Sequence, residues 1–250
     1  MGLWYGLCSL QRVKVWQMVP SIQSGIALVK SPSLTETVYQ ALRDAILNGV
    51  YAPGTMLRQE EVSVALGVSR NPLREVLPRL ETEGLVVLHP RRGYQVVSLN
   101  EEEIYDVFAL RILLESDLVQ RAVNRKKTID ERRIRDILDE MAILAERPET
   151  ADLPRWFALN LRFHDALMLP AGCAHHMRAL FVSRGALETY IRAEVRLTGD
   201  LIAAQDEHTQ LANAFFNDDG AGLVQLTHKH SEHTRDRLLL GLRSSAVLPQ

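Results

Sequence analysis

Seven of the eight histidines lie at or beyond position 164, and imidazole is both the commonest metal ligand and the side chain that titrates near neutrality. Asn160 and His164 stand four residues apart, which on a helix puts them on one face. His208 and His230 are 22 residues apart, with Asn217-Asp218-Asp219-Gly220 between them. A helical hairpin that turns near Gly220 brings those two rungs together, so Asn160, His164, His208 and His230 can converge from three helices. Imidazoles suit zinc, nickel, copper or iron, and an amide oxygen widens the choice toward harder ions. The plainer alternative for each histidine is a core residue satisfied by one hydrogen bond. His175 and His176 follow a helix break and read as surface or capping residues, while His228 and His233 are rotated to faces other than that of His230. Asp165 falls on a different face from His164, so no general acid or base stands beside the set. On its own, Arg111 reads as the i,i+4 ion-pair partner of Glu115, worth about a few tenths of a kcal/mol.

A second constellation is rich in long donors. Within residues 53–94, Val62, Ala65 and Leu66 mark a short helix that Gly67 stops, because glycine tolerates the positive φ of a helix end. Ser69 is placed to cap the next helix through its side-chain oxygen, with Pro72 in the first turn. Leu73, Val76, Leu77 and Leu80 form its apolar face, and Arg70, Asn71 and Arg74 occupy the opposite one. Leu85–Leu88 and Tyr94–Val97 read as two short strands around the basic tip His89-Pro90-Arg91-Arg92-Gly93. Helix-turn-helix followed by a basic hairpin is a winged helix, a device for gripping double-stranded DNA. Arg70 and Arg74 can offer paired donors to guanine and Asn71 can pair with adenine, and Arg58, Arg91 and Arg92 can hold phosphates. Ser69 and Gly93 complete the expected contact set. The bland reading of Arg91-Arg92 is a solvated turn.

The elements that must position these residues follow from composition and periodicity. The 250 residues are 46% hydrophobic and 24% charged, an ordinary globular balance, with a formal charge of −2. Residues 33–97 hold seven Lys/Arg against seven Asp/Glu, but five of those arginines (70, 74, 79, 91 and 92) lie on the second helix or the wing tip. Residues 98–250 hold 19 Lys/Arg against 24 Asp/Glu, an acidic balance that repels DNA and confines its binding to the wing-bearing face. Two cysteines, Cys8 and Cys173, make no disulfide framework, and Cys173 reads as a reduced packing residue of a cytoplasmic protein. No run reaches the length of apolar sequence that spans a membrane. Residues 1–30 do not read as a secretory signal, because the charges Arg12 and Lys14 follow the apolar stretch instead of preceding it; they read as a disordered extension, with an upstream extension of the reading frame, a flexible arm or a locally packed strand as the alternatives. From Asn100, an N-cap with Glu101-Glu102-Glu103 in the first turn, helices are expected over 101–125, 129–146, 152–169, 173–198, 203–217 and 219–242. The fold class is therefore mainly α, with a winged helix-turn-helix over 31–98 and an all-α bundle of about six helices over 99–245.

Residues 34–98 resemble the DNA-binding domain of the GntR family of bacterial transcription regulators. The resemblance rests on Leu42-x-x-x-Ile46-x-x-Gly49, Pro53-Gly54, Leu57, Gly67-Val68-Ser69-Arg70, Pro72-Leu73-Arg74-Glu75, Leu80, Glu83-Gly84-Leu85 and Arg91-Arg92-Gly93. Pro78 departs from that pattern. It removes a backbone hydrogen bond and crowds the Arg74 carbonyl, which predicts a kink beyond the turn carrying Arg70, Asn71 and Arg74. Residues 101–243 resemble the FadR C-terminal (FCD) effector domain through Val107-Phe108-x-x-Arg111-x-x-x-Glu115, Asn160-x-x-Phe163-His164-x-x-Leu167, Glu207-His208 and His230. This resemblance implies a divalent metal (zinc, nickel or manganese) held by Asn160, His164, His208 and His230, with asparagine where many relatives have aspartate. It also implies that Arg111 faces the pocket and grips a small carboxylate effector. Together the two resemblances imply a ligand-responsive regulator, most often a repressor, that acts as a homodimer on a pseudo-palindromic operator. Two other classes stand beside it: a metal-dependent enzyme acting on small hydroxy or keto acids with a tethering DNA-binding domain, and an architectural DNA-binding protein without a ligand.

Overall fold

The computed structural model describes residues 33–147 and 151–245. The expectations for residues 1–30, for Cys8 and for a break at Pro148 lie outside the described residues. The chain opens with α1 (Leu34–Leu47), capped by Ser33, whose Oγ accepts from the Glu36 N–H at 3.2 Å. Val38, Leu42 and Ile46 repeat at helical spacing, and all are buried against Leu73, Val76, Leu77 and Leu80 of α3 (Arg70–Thr82). Between them, α2 (Gln59–Leu66) ends at Gly67 in the left-handed conformation, φ 64°. Val62 is the buried apolar residue of α2, and Ala65 is exposed, contrary to expectation.

Ser69 occupies the N-cap of α3, but its side chain makes no capping hydrogen bond. One of the two donors that such a cap can use is missing. An N-cap oxygen serves the N–H of the second or third helical residue, and the third is Pro72, which has none. Pro78 lies inside α3, and the helix continues across it to Thr82.

The wing is a three-stranded antiparallel sheet ordered β1-β3-β2, with β1 (Met56–Leu57), β2 (Val86–His89) and β3 (Gly93–Val96). Its register pairs Met56 with Gln95, Val86 with Val96 and His89 with Gly93. The sequence suggested two strands, and the third, two residues long, is too short to show alternation.

The helical part comprises α4 (Glu101–Val123), α5 (Thr128–Ala145), α6 (Leu153–Met168), α7 (Ala174–Thr198), α8 (Leu201–Phe216) and α9 (Gly220–Ser245). Helix ends follow local chemistry. Asn100 and Glu103 form a reciprocal capping box at α4, Asp152 and Asp200 cap α6 and α8, and Gly199 closes α7 with φ 66°. The Lys126 ammonium covers the end of α8, donating to the Phe215 and Phe216 carbonyls and pairing with Asp218 at 3.0 Å. Phe157, Phe163, Leu118, Leu211 and Phe215 fill the bundle core. Cys173 is half-buried and makes no disulfide among the described residues.

The described residues fall in one compact unit, and the wing-bearing part meets α7 backbone to backbone. A Cβ built on Gly185 would lie 1.7 Å from the Glu83 carbonyl oxygen, and one on Gly84 would lie 2.3 Å from the Val182 carbonyl oxygen. Arg196 near the end of α7 donates to the Leu47 carbonyl at 3.3 Å and to Asn48 Oδ1 at 2.6 Å, closing the C-terminus of α1. A guanidinium at helix-terminal carbonyls is favoured by both hydrogen bonding and the helix dipole.

Candidate metal centre and nucleic-acid face

Three helices converge on one cluster. His164 comes from α6, His208 from α8 and His230 from α9, and one ligand atom from each lies within 4.8 Å of the others. Ring centroids are 5.1 Å apart for His164–His208 and His164–His230, and 5.2 Å for His208–His230. Asn160, one turn before His164, lines the same cleft. The hairpin of α8 and α9 turning at residues 217–219 sets His208 opposite His230.

His208 is 1% exposed, and neither of its ring nitrogens has a hydrogen-bond partner among the described residues. A buried core histidine normally has at least one, so the plain packing alternative leaves two polar atoms unexplained at this residue. Burial, then the neighbouring His230, pushes the His208 imidazole well below its ordinary acidity range. Burial, then His230 and His208, does the same at His164. Both rings are therefore held neutral with a free lone pair, the form that binds a metal. Phe163 and Trp156 pack on His208, with ring centroids 4.8 and 6.3 Å away, and keep the cluster dry on that side. The residues present thus fit a divalent ion.

His164, His208 and His230 open onto one cleft that Trp156, Phe157 and Arg184 also line. Arg111 lines it and is 6% exposed. Its Nε and Nη2 donate to Glu115 Oε1, both at 3.2 Å, while Nη1 is buried without a partner among the described residues. The ion-pair and pocket readings of Arg111 are therefore compatible: one edge of the guanidinium is fixed by Glu115 and Nη1 remains available to a ligand.

Arg184 and Ser231 were not singled out from the sequence, and Glu115 and Glu207 make contacts there that their spacing did not reveal. Glu115 also accepts from Arg184 Nε at 3.2 Å and from Ser231 Oγ at 3.1 Å. Arg184 further binds Asp165 at 2.8 Å, which occupies that carboxylate away from the histidines. Glu207 binds His230 Nδ1 at 2.6 Å and His233 Nδ1 at 2.8 Å. Burial raises the Glu207 carboxyl, but the hydrogen bonds of His230 and His233 outweigh it and leave it at about 2. His175 contacts Arg178, His176 pairs with Asp117, and His228 pairs with Glu232.

On the wing-bearing part, Arg58, Ser69, Arg70, Asn71, Arg74, Arg91 and Arg92 are all exposed. Arg70 pairs with Glu60 at 2.7 Å and Arg58 with Glu61 at 3.2 Å, exposed contacts of small worth that a phosphate can displace. Arg91 has φ 66° and Gly93 φ 106°, which turns the tip sharply between β2 and β3. Arg79 is engaged elsewhere: it binds Glu36 at 2.7 Å and lies 3.3 Å over the Tyr39 ring, so it ties α3 to α1.

Comparison with known proteins agrees with this architecture. Residues 34–96 match the bacterial regulatory proteins of the gntR family, and residues 106–233 match the FCD domain. The chain is 30% identical over 203 residues to the HTH-type transcriptional repressor GlaR of Escherichia coli K12, covering 77% of this chain and 90% of that protein. It is 23% identical over 216 residues to the gluconate operon transcriptional repressor of Bacillus subtilis 168, covering 84% and 87%. Among solved structures, a GntR regulator from Rhodococcus sp. RHA1 aligns with TM-score 0.64 at 24% identity, covering 83% of this chain and 98% of that one. E. coli McbR/YncC aligns with TM-score 0.64 at 21% identity, covering 84% and 99%. At these identities the two structures establish a shared fold. Among the described residues, no helix is long and apolar enough to cross a membrane.

Proposed function

Because the chain belongs to the GntR family of bacterial regulatory proteins and carries an FCD domain, it is a DNA-binding transcription regulator, and we propose that it is a metal-assisted, acid-responsive repressor. Asn160, His164, His208 and His230 hold one divalent ion. Beside that ion, Arg111 Nη1 would take the carboxylate of a small organic acid. The observation that carries this reading is His208, buried in a triangle of imidazoles with both ring nitrogens lacking a partner among the described residues, in a cleft that Arg111 also lines. When bound, the metal supplies an electrophilic anchor for the carboxylate, and the protein residues orient and enclose it.

On the DNA side, Arg70, Asn71 and Arg74 read base edges, and Arg58, Ser69, Arg91, Arg92 and Gly93 hold the backbone. Two copies of the chain act on two half-sites. Leu110 and Leu113, one turn apart and exposed on α4, offer an apolar stripe for the partner copy. The route from pocket to DNA runs along α7. Arg184 lines the cleft, and the adjacent Gly185 abuts the backbone at the end of α3. An acid that binds one position of α7 more tightly than another shifts the pose of the recognition helix by that difference in affinity.

Elemental analysis and native mass spectrometry of the purified protein, followed by calorimetric titration with small hydroxy and keto acids, test the reading. His208→Ala should lose both the metal and the acid response and keep operator binding. Arg111→Ala should keep the metal and weaken the acid. Full metal content in both His208→Ala and His230→Ala would return these histidines to core packing, and catalytic turnover of the acids would replace the regulator with an enzyme.

A further inference from the structure

His230 needs its Nε2 lone pair directed at the cluster, and an imidazole is free to rotate and to exchange tautomers unless its other nitrogen is held. Here Nδ1 of His230 is held by Glu207 Oε2 at 2.6 Å. The same carboxylate uses Oε1 to take Nδ1 of His233 at 2.8 Å, so both of its oxygens are fixed. Arg237 Nη1 lies 3.7 Å from Oε1 and gives the carboxylate a cationic neighbour. Glu207 directly precedes His208 on α8. Consecutive helical residues project about 100° apart, so one turn of α8 sends His208 into the cluster and Glu207 toward α9.

Resting on the metal reading above, we propose that Glu207 is a positioning residue of the metal site: it fixes the Nδ1–H tautomer and ring orientation of His230 so that Nε2 faces the ion. His233 acts one step further out by holding the second oxygen of Glu207. The physical basis is general. A carboxylate that accepts from the far nitrogen of a ligating imidazole fixes its orientation and raises its basicity. The alternative is an ordinary ion pair between α8 and α9 that contributes only to packing.

The test uses the full-length protein, stripped of metal and titrated with Zn²⁺ against a chromophoric chelator, with the visible spectrum of the Co²⁺-loaded form as a second readout. Glu207→Ala should weaken Zn²⁺ binding about 10–100-fold and shift the Co²⁺ bands. The isosteric Glu207→Gln, which keeps an acceptor oxygen but loses the charge, should fall between wild type and alanine and remains informative if the alanine variant does not fold. His233→Ala, which leaves the Glu207–His230 bond in place, should keep most of the affinity. Unchanged Zn²⁺ affinity and Co²⁺ bands in Glu207→Gln and Glu207→Ala, alongside a lower melting temperature of the metal-free protein, would overturn the proposal in favour of packing and leave the metal reading standing. Failure of the wild type to bind Zn²⁺ and Co²⁺, or wild-type binding by His208→Ala, would overturn both.

Discussion

Replacing Glu115 by glutamine removes one negative charge at nearly constant volume, from a carboxylate that is 2% exposed. That carboxylate accepts from Arg111, Arg184 and Ser231 at 3.1–3.2 Å. Burial pushes the Glu115 carboxyl up, and Arg111 and Arg184 more than reverse this, leaving it at about 2 against an ordinary 4.5. At about 1.4 kcal/mol per tenfold change in acidity, that displacement corresponds to about 3 kcal/mol of stability at pH 7. The cost of removing one partner from a buried ion pair, about 3–5 kcal/mol, falls in the same range. Glu115→Gln leaves Arg184 with Asp165 and Arg111 with no carboxylate, so a loss of about 3–4 kcal/mol is expected, or a fall in Tm of about 6–16 °C for a chain of this size. The pH dependence has a definite sign. The folded-state carboxyl is depressed, so its contribution is complete above pH 4.5 and is lost as pH falls toward about 2. Urea unfolding followed by far-ultraviolet circular dichroism should show a constant gap between wild type and variant from pH 8 to about 5, narrowing below. A gap under about 1 kcal/mol at pH 7, or one that widens on acidification, would refute the assignment of Glu115 as the counter-charge of both arginines.

The remaining expectations concern the DNA face and its attachment. Arg74→Ala should cost about 1–3 kcal/mol at the operator and relax the preference at one base position, whereas Arg92→Ala should weaken all sequences alike and flatten the salt dependence; selection from a randomised operator pool at two salt concentrations separates the two. Pro78→Ala should stabilise the wing-bearing part by up to about 3 kcal/mol, and equal denaturation midpoints would show that α3 tolerates the proline without penalty. Helix propensity alone predicts that alanine at Gly185 or Gly241 gains about 0.5–1 kcal/mol. The structure predicts opposite signs: Gly241→Ala gains, since its Cβ would meet Glu194 Cγ at an ordinary 3.9 Å, while Gly185→Ala collides with the Glu83 carbonyl and loses about 1–3 kcal/mol. Equal gains at both positions, by thermal melts, would rule out the tight α3–α7 approach.

The elements were legible in the sequence because each is specified locally. Leu73, Val76, Leu77 and Leu80 repeat at the helical period, Gly67 and Gly199 end helices, and Asn100 begins one, all within a turn or two of chain. The histidines were visible because their residue type is chemically rare and the hairpin turn at 217–219 fixes which rungs of α8 and α9 face each other. Ser69 makes no side-chain cap although Asn71 still offers an N–H, Pro72 having removed the other donor, and β1 is too short to carry a period. What only the tertiary structure decided lies in charged residues far apart in sequence. Glu115 meets Arg184 across 69 residues, Glu207 meets His230 across 23, and Gly185 meets Glu83 through backbone atoms that have no sequence signature. A glutamate or arginine on a helix reads as solvated, since most are, and its burial and partner are set by which helices pack together. The identity of the candidate ligands is thus a local property of the chain, while the residues that orient them, and the contact joining their helix bundle to the DNA-binding part, are properties of the packing.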